Sequence, residues 1–464
     1  MSIKLNYTYA LSDVVGGEHG VSQKELEGLK EKLISARESI NRKKSEGKLG
    51  FMELPYKKAE ALKIQKTAAA LKRKFDNFVV VGIGGSALGN IALQTALRPL
   101  YWNFLSKKER RGNLRIYVPD NVDPELIKGL EGILDFKKTV FNVISKSGTT
   151  AECLANYFFF KKTLLKKVGK KYREHLIFTT DASKGFLREA AIKENIATFE
   201  IPQNVGGRFS VLSPVGLLSG SAAGINIQKL LEGAAAAADA YSSEEVDILK
   251  NPAAVFAAIN YLLYLKNKPM VVMLPYSNAL YGISDWFRQL WAESLGKKLN
   301  IKGEKIFAGP TPIKAVGATD QHSQIQLYIE GPFDKIIVFL SVGKFRTSAP
   351  IPRIGYKHYL EGHTLNRLIK SEEEATRVAL AKEKRPNITI EIPTINEENV
   401  GALIYMLELA TAYAGELFEI NAFDQPGVEL GKQLTYGLMG RAGFEDKKKE
   451  TEDFKSKFQA RIIP

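Results

Sequence analysis

Four short runs of apolar residues follow one another in the first half of the chain: FVVVGI (Phe78–Ile83), LRIYV (Leu114–Val118), TVFNVI (Thr139–Ile144) and LIFTT (Leu176–Thr180). None alternates apolar with polar residues, and each leads into turn residues and then a helical pattern. A strand that is apolar on both faces must be covered on both faces, as the strands of a parallel sheet are. The pattern predicts a doubly wound α/β domain over residues 75–225. A second set starts at PMVVMLP (Pro269–Pro275) and continues through KIIVFLSVG and NITIEIP, so a similar sheet is expected over residues 226–440. The expected fold is α/β, with two doubly wound parallel-sheet domains between helical N- and C-terminal extensions. The N-terminal one, residues 1–74, spaces Leu26, Leu29, Leu33, Ile34 and Ile40 at helical intervals behind Ser22 as a cap. Long helices are expected from about Glu397 to Ile420 and from about Pro426 to Leu438, followed by a charged surface helix in residues 441–464.

With 464 residues, the chain exceeds one ordinary core, which agrees with two domains. Its 66 Lys and Arg against 51 Asp and Glu leave a formal charge of +15, which favours an anionic partner such as nucleic acid, an acidic membrane surface or a phosphorylated substrate. A solvated basic surface without a role accounts for the same number. A single cysteine, Cys153, rules out an internal disulfide and fits a reducing compartment. The N-terminus lacks an apolar core of signal-peptide length, and no apolar run approaches the roughly 18 residues of a membrane span. The expectation is a soluble cytoplasmic protein. Cys153 itself reads as a small buried hydrophobe.

Two loops carry the chemistry of the first sheet. VVVGIGGSALG places Gly82, Gly84 and Ala87 in the spacing of a dinucleotide fingerprint. That fingerprint needs a ribose-binding acid about 20 residues on, and none occurs before Glu109. What remains is a loop, Gly85 and Ser86 included, in which backbone amides can approach a ligand. The second loop, SKSGTT, sets Ser145, Lys146, Ser147, Thr149 and Thr150 around Gly148, between a strand and a helix. A helix N-terminus offers free amides and partial positive charge. Hydroxyls beside it suit a tetrahedral anion such as a phosphomonoester. Helix capping explains one hydroxyl but not four. The pair of loops resembles the sugar isomerase (SIS) fold, which serves both enzymes and sugar-phosphate-sensing regulators.

Three further stretches bear on the reaction. In NVGGRFSVLSPVG, Gly206 and Gly207 let the backbone come close while Arg208 projects into a site; an Arg paired with a surface carboxylate is the commoner case. In WFRQLWAESLGKK, Glu293 stands among aromatics, where burial raises a carboxyl pKa and makes a better base; most helix glutamates are solvated. In FDQPGVELGKQL, Gln425 and Lys432 are seven apart and can share a helix face, although a lone lysine is usually a surface lysine. His358 and His363 fall on different faces of a helix, and no histidine pair has metal-ligand context, so no metal and no cofactor is expected.

NVGGRFSVLSPVG and FDQPGVELGK closely resemble the two signature segments of the glucose-6-phosphate isomerase (phosphoglucose isomerase) family. ESLGK resembles its catalytic-glutamate segment and TDQHSQIQLY its histidine segment, and the matches run from residue 82 to 434. The shorter bacterial branch fits best. The resemblance implies that Ser145, Ser147 and Thr150 hold a phosphate, with Lys146 and Thr149 nearby. Gly85, Ser86 and Gly207 face the sugar, and Gln289 and Gln425 bind sugar or phosphate. It makes Glu293 the base, His322 with Lys432 the ring-opening pair, and Arg208 the cation beside the intermediate; Glu152 follows the phosphate loop. Asp320, before QHS, departs from the smaller residue of animal members. The family is usually dimeric, with the counterpart of His322 reaching the site from the partner chain. The implied partner is thus a sugar phosphate, with no nucleic acid and no membrane. Isomerisation in glycolysis and gluconeogenesis through a cis-enediol(ate) is the implied activity. The alternatives are a dual phosphoglucose/phosphomannose isomerase or a non-catalytic sugar-phosphate-binding SIS protein. A regulator would bring a DNA-binding helix-turn-helix, which the N-terminal helices do not resemble, and an amidotransferase would bring a nucleophilic cysteine near its N-terminus.

Overall fold

The computed structural model, which describes residues 3–243 and 245–463, begins on a strand rather than a helix. This strand, β1 (Lys4–Asn6), pairs antiparallel with a strand some 380 residues later, so the N-terminal extension is not purely helical. Three residues are too few to show a strand period in sequence. Beyond it, Ser22 closes a capping box: its hydroxyl accepts from the Glu25 amide at 3.2 Å, and its own amide donates to the Glu25 carboxylate at 2.7 Å. The helix expected from there runs as two, Gln23–Gly28 and Lys30–Ser45, joined at Leu29. Leu26, Leu33 and Ile40 are buried as their spacing requires.

The first sheet contains β2 (Asn77–Val81), β3 (Arg115–Tyr117), β4 (Thr139–Ser145), β5 (Leu176–Thr180) and β6 (Ala197–Glu200), in the order β3-β2-β4-β5-β6 and parallel throughout. Every residue of β2, β4 and β5 is buried, which is why these runs lack polar alternation. The mostly exposed edge strand β6 carries no such run and was not expected. After β2 the chain moves to β3 on one side, whereas β4 to β6 continue on the other. The switch point therefore lies between β2 and β4, where a ligand crevice forms at the carboxyl ends.

The second half supplies β7 (Met270–Pro275), a separate antiparallel hairpin of β8 (Lys297–Leu299) and β9 (Lys305–Ala308), then β10 (Thr311–Lys314), β11 (Lys335–Lys344) and β12 (Asn387–Thr394). Its main sheet has the order β1-β12-β11-β7-β10 and is parallel except for β1. The second sheet is thus parallel as expected, with the N-terminal strand added antiparallel along its open edge. The hairpin and β10 had no sequence signal, because all three strands are short and the hairpin is largely exposed.

One apolar cluster runs from Phe78 and Val80 of β2 to Val338 of β11 and Ile390 of β12, so the two halves share a core. The helices Ile227–Ser242 and Glu397–Leu417 cross within it. A Cβ on Gly233 would stand 1.9 Å from the Glu398 carbonyl oxygen, and one on Gly401 1.9 Å from that of Leu230, so glycine alone permits this crossing. By length and composition Glu397–Leu417 could span a membrane, but 94% of its apolar stretch is buried inside the protein. The Glu429–Leu438 helix and the charged Glu445–Ser456 helix end the fold, the latter with no buried residue, as expected of the tail.

Candidate active site

A cavity of about 1080 Å³ lies where the loops after β2 and β4 meet. It is lined by Gly84, Gly85, Ser86, Ser145, Lys146, Ser147, Thr150, Glu152, Gly207, Arg208, Gln289, Glu293, Gln425 and Lys432. Stretches more than 300 residues apart in sequence thus share one wall. Thr149 and His322 are the predicted residues that do not line it. Thr149 bonds through both its amide and its hydroxyl to the Ser147 hydroxyl, at 3.2 Å each. His322 ends a short turn, Thr319–His322, and is exposed to solvent outside the cavity.

The hydroxyls of the β4 loop are not spent on capping the helix that follows. Thr150 occupies the N-cap position of the Ala151–Val168 helix, yet its side chain makes no capping bond. Its hydroxyl pairs with that of Ser145 at 2.8 Å. The first-turn amides are therefore left without a side-chain partner, next to a set of hydroxyls. Lys146 differs from expectation. Its ammonium turns along the loop and donates to the carbonyls of Gln203 and Val205 at 2.6 and 3.0 Å. Burial pushes its pKa down, with Asp181 opposing and Lys184 adding to the shift. It ties the β4 loop to the loop that carries Arg208.

The glycine loop is pressed against the Arg208 loop. A Cβ on Gly85 would lie 2.2 Å from the Gly207 carbonyl carbon, so the two backbones touch only because residue 85 has no side chain. This contact brings the end of β2 and the Gly207–Phe209 turn to one side of the cavity.

Arg208 is 2% exposed, and each of its guanidinium nitrogens is engaged. Nε donates to the Ser294 hydroxyl at 2.7 Å, and Nη2 to the carbonyls of Ala422 and Asp424 at 2.7 and 3.0 Å. Nη1 donates to Gln425 at 3.1 Å and to the Glu293 carboxylate at 3.3 Å. Burial lowers its pKa and Glu293 pulls it back; at neutral pH an arginine remains charged. Glu293 itself does not sit in an apolar pocket. Its side chain is 33% exposed on the cavity wall, while Phe287, Leu290 and Trp291 of the same helix, Tyr281–Leu295, turn into the core. The aromatic neighbours seen in sequence pack on the other strip of the helix, so the expectation that Glu293 is buried among them is not met. Gln289, one turn earlier, donates to the second Glu293 oxygen at 3.1 Å.

Gln425 and Lys432 both reach the cavity, though not along one helix. The α-helix starts at Glu429, and Gln425 belongs to the strap that Arg208 holds. Lys432 is half exposed and paired with Glu429 at 2.8 Å. Cys153 is 2% exposed on the cavity wall, where burial pushes its thiol up to about 12, as suits a small buried hydrophobe and not a nucleophile. Sequence reasoning missed Lys48, Asp181 and Lys184, which also line the cavity from loops without a motif. It also passed over Lys297, buried behind Glu293, whose only signal was its place after ESLG.

A carboxylate on a fixed guanidinium, facing the same cavity as a hydroxyl-rich helix N-terminus, can move a proton on a bound phosphorylated molecule and steady the anion that results. Comparison with known proteins points the same way. The family model of phosphoglucose isomerase matches residues 59–347 and 362–460. A glucose-6-phosphate isomerase of Carboxydothermus hydrogenoformans is 48% identical over 100% of both chains. One of Rubrobacter xylanophilus is 40% identical over 94% of this chain and 99% of its own. Among solved structures, a hypothetical protein of Thermus thermophilus has a TM-score of 0.84 at 37% identity, covering 95% of this chain and 100% of that one. A glucose-6-phosphate isomerase of Chlamydia trachomatis has a TM-score of 0.72 at 25% identity, covering 86% and 77%. With signature segments, cavity and whole-chain likeness in agreement, the chain belongs to the phosphoglucose isomerase family.

Proposed function

We propose that this protein interconverts glucose 6-phosphate and fructose 6-phosphate in the cytoplasm by acid–base proton transfer. One observation carries the reading: a single cavity joins the uncapped Ser145–Thr150 loop to the Glu293 carboxylate on buried Arg208. The substrate phosphate sits against the hydroxyls of Ser145, Ser147 and Thr150 and the amides of the helix they precede. The sugar lies along Gly85, Ser86 and Gly207 toward Gln289. Glu293 takes the proton from C2 and returns it to C1, which one carboxylate can do on one face of an enediol. Arg208 faces the enediolate oxygens; held by five bonds, it needs no reorganisation as charge develops. Ring opening requires an acid for the ring oxygen and a base for the hydroxyl, roles that fall to His322 and Lys432. The family resemblance implies that His322 serves the site of a second copy, in a homodimer with active sites near the interface, and its position outside the cavity of its own chain supports that reading.

A coupled assay tests the reaction. Purified protein with fructose 6-phosphate is expected to form glucose 6-phosphate at an undiminished rate in EDTA, with solvent deuterium entering C2 of the product. Failure to form glucose 6-phosphate, or activity that chelation abolishes and one divalent metal restores, would sink the reading.

A further inference from the structure

We propose that Lys297 is a positioning residue for the proton transfer: its ammonium ties the last turn of the helix that carries Glu293 to the strap that carries Gln425, and so sets the spacing between the base and the groups around it. The inference rests on Glu293 being the base.

The helix Tyr281–Leu295 ends with Gly296 donating to the Ala292 carbonyl, which leaves the Glu293 carbonyl among the unpaired last-turn acceptors. Lys297 takes it up at 2.7 Å. The same ammonium donates to the Asp424 carbonyl at 2.8 Å and stands 3.4 Å from the Asp424 carboxylate. Three donors thus meet three acceptors, all on the two segments that flank the cavity. The Asp424 carbonyl also accepts from Arg208 at 3.0 Å. Two cations therefore converge on one peptide group, one tied to the Glu293 carboxylate and the other to the Glu293 backbone.

Ordinary helix capping does not account for this arrangement. A lysine in solvent satisfies a last-turn carbonyl without giving up its hydration. Lys297 is 7% exposed and lies near a second buried cation, a position that is costly to fill. Its return is rigidity: neither Glu293 nor Gln425 can shift along its own segment without breaking a bond to Lys297 or Arg208. A displacement of about 1 Å at the base is enough to cost roughly 100-fold in rate.

Steady-state kinetics of Lys297→Met and Lys297→Arg, each alone and with Glu293→Gln, test the tie. Lys297→Met is expected to melt cooperatively and to lower kcat roughly 10- to 100-fold. KM for fructose 6-phosphate should stay within about threefold, because the Ser145–Thr150 loop is untouched. Lys297→Arg, which keeps donors, should recover most of the lost kcat. With the base already removed, Lys297→Met should cost less than about threefold more, since a tie that acts through Glu293 has nothing left to position. Parental kcat in Lys297→Met, an equal further loss in the Glu293→Gln background, or a Lys297→Met chain that does not fold would each assign Lys297 to stability alone and overturn the proposal. Parental kcat in Glu293→Gln by itself would overturn the assignment of the base instead.

Discussion

Arg208 is the residue on which the site turns. Its donors are divided between the Glu293 carboxylate, Ser294 of the same helix and the strap, so charge and geometry are fixed by the same five bonds. Lysine could not replace it, having three donors and no planar fork. The proton transfer is proposed for Glu293, whose partly exposed carboxylate is held by Gln289 and Arg208. Glu293→Gln keeps the shape and most of the hydrogen bonding but cannot accept a proton. It is expected to lower kcat by roughly 10² to 10⁴, with KM little changed and the melting temperature near that of the parent. Deuterium entry at C2 should fall with kcat. Exchange at the parental rate would move the base elsewhere, with Glu152 on the cavity wall as the next candidate.

Among elements, the join between β4 and the Ala151–Val168 helix contributes most. The strand is buried at every residue, and the helix begins without a side-chain cap, so the loop between them presents first-turn amides that no side chain has taken up. Ser147 is exposed at its tip and can be changed without disturbing the core. Ser147→Asp places a negative charge where the phosphate is proposed to bind. KM for fructose 6-phosphate should rise at least about tenfold through like-charge repulsion, while the fold persists. Inhibition by phosphorylated sugar acids should weaken in parallel. Unchanged KM and inhibition would reduce the loop to a connection between a strand and a helix.

At the scale of the molecule, the two sheets share one core, and the Glu397–Leu417 helix runs through it with Glu408 fully buried and both carboxylate oxygens unpartnered. Burial pushes the Glu408 pKa well above its ordinary value. In the unfolded chain the same group ionises near about pH 4.3. Unfolding above that pH releases a proton that the folded state retains, so this group's contribution is fully present below about 4.3 and is lost as pH rises toward the folded pKa. Glu408→Gln removes the dependence. Its melting temperature should exceed the parent's by roughly 2 °C or more at pH 8, with the gap closing toward pH 4. A gap of equal size at both pH values would mean that ionisation is not the cause. The proposed homodimer is tested by mixing two inactive chains, Glu293→Gln and His322→Ala, under conditions that exchange subunits. If each site takes Glu293 from one copy and His322 from the other, hybrids hold one intact site, and about a quarter of parental activity returns. No recovery in a mixture shown to contain hybrids would confine both residues to one chain.

Much of this was legible in the chain before any coordinates. Unbroken apolar runs announced buried parallel strands, because a strand covered on both faces has no use for polar alternation. SKSGTT announced a hydroxyl-rich turn between a strand and a helix, since hydroxyls, glycine and a helix start act over a few neighbouring residues. The segments around Arg208, Glu293 and Gln425 could be picked out by their resemblance to a family, but their mutual placement could not be derived from them. Arg208 meets Ala422 across 214 positions, and β1 closes a sheet whose other strands come hundreds of residues later. Such contacts leave no local period or turn signature; they exist only once helices and sheets have packed. The direction of the Lys146 ammonium, the strip of helix on which Glu293 emerges, the burial of Lys297 and the distance of His322 from its own cavity were settled in the same way. Periodicity states that a residue is on a helix or at a strand end, and only the neighbours brought in by tertiary packing decide what its side chain can reach.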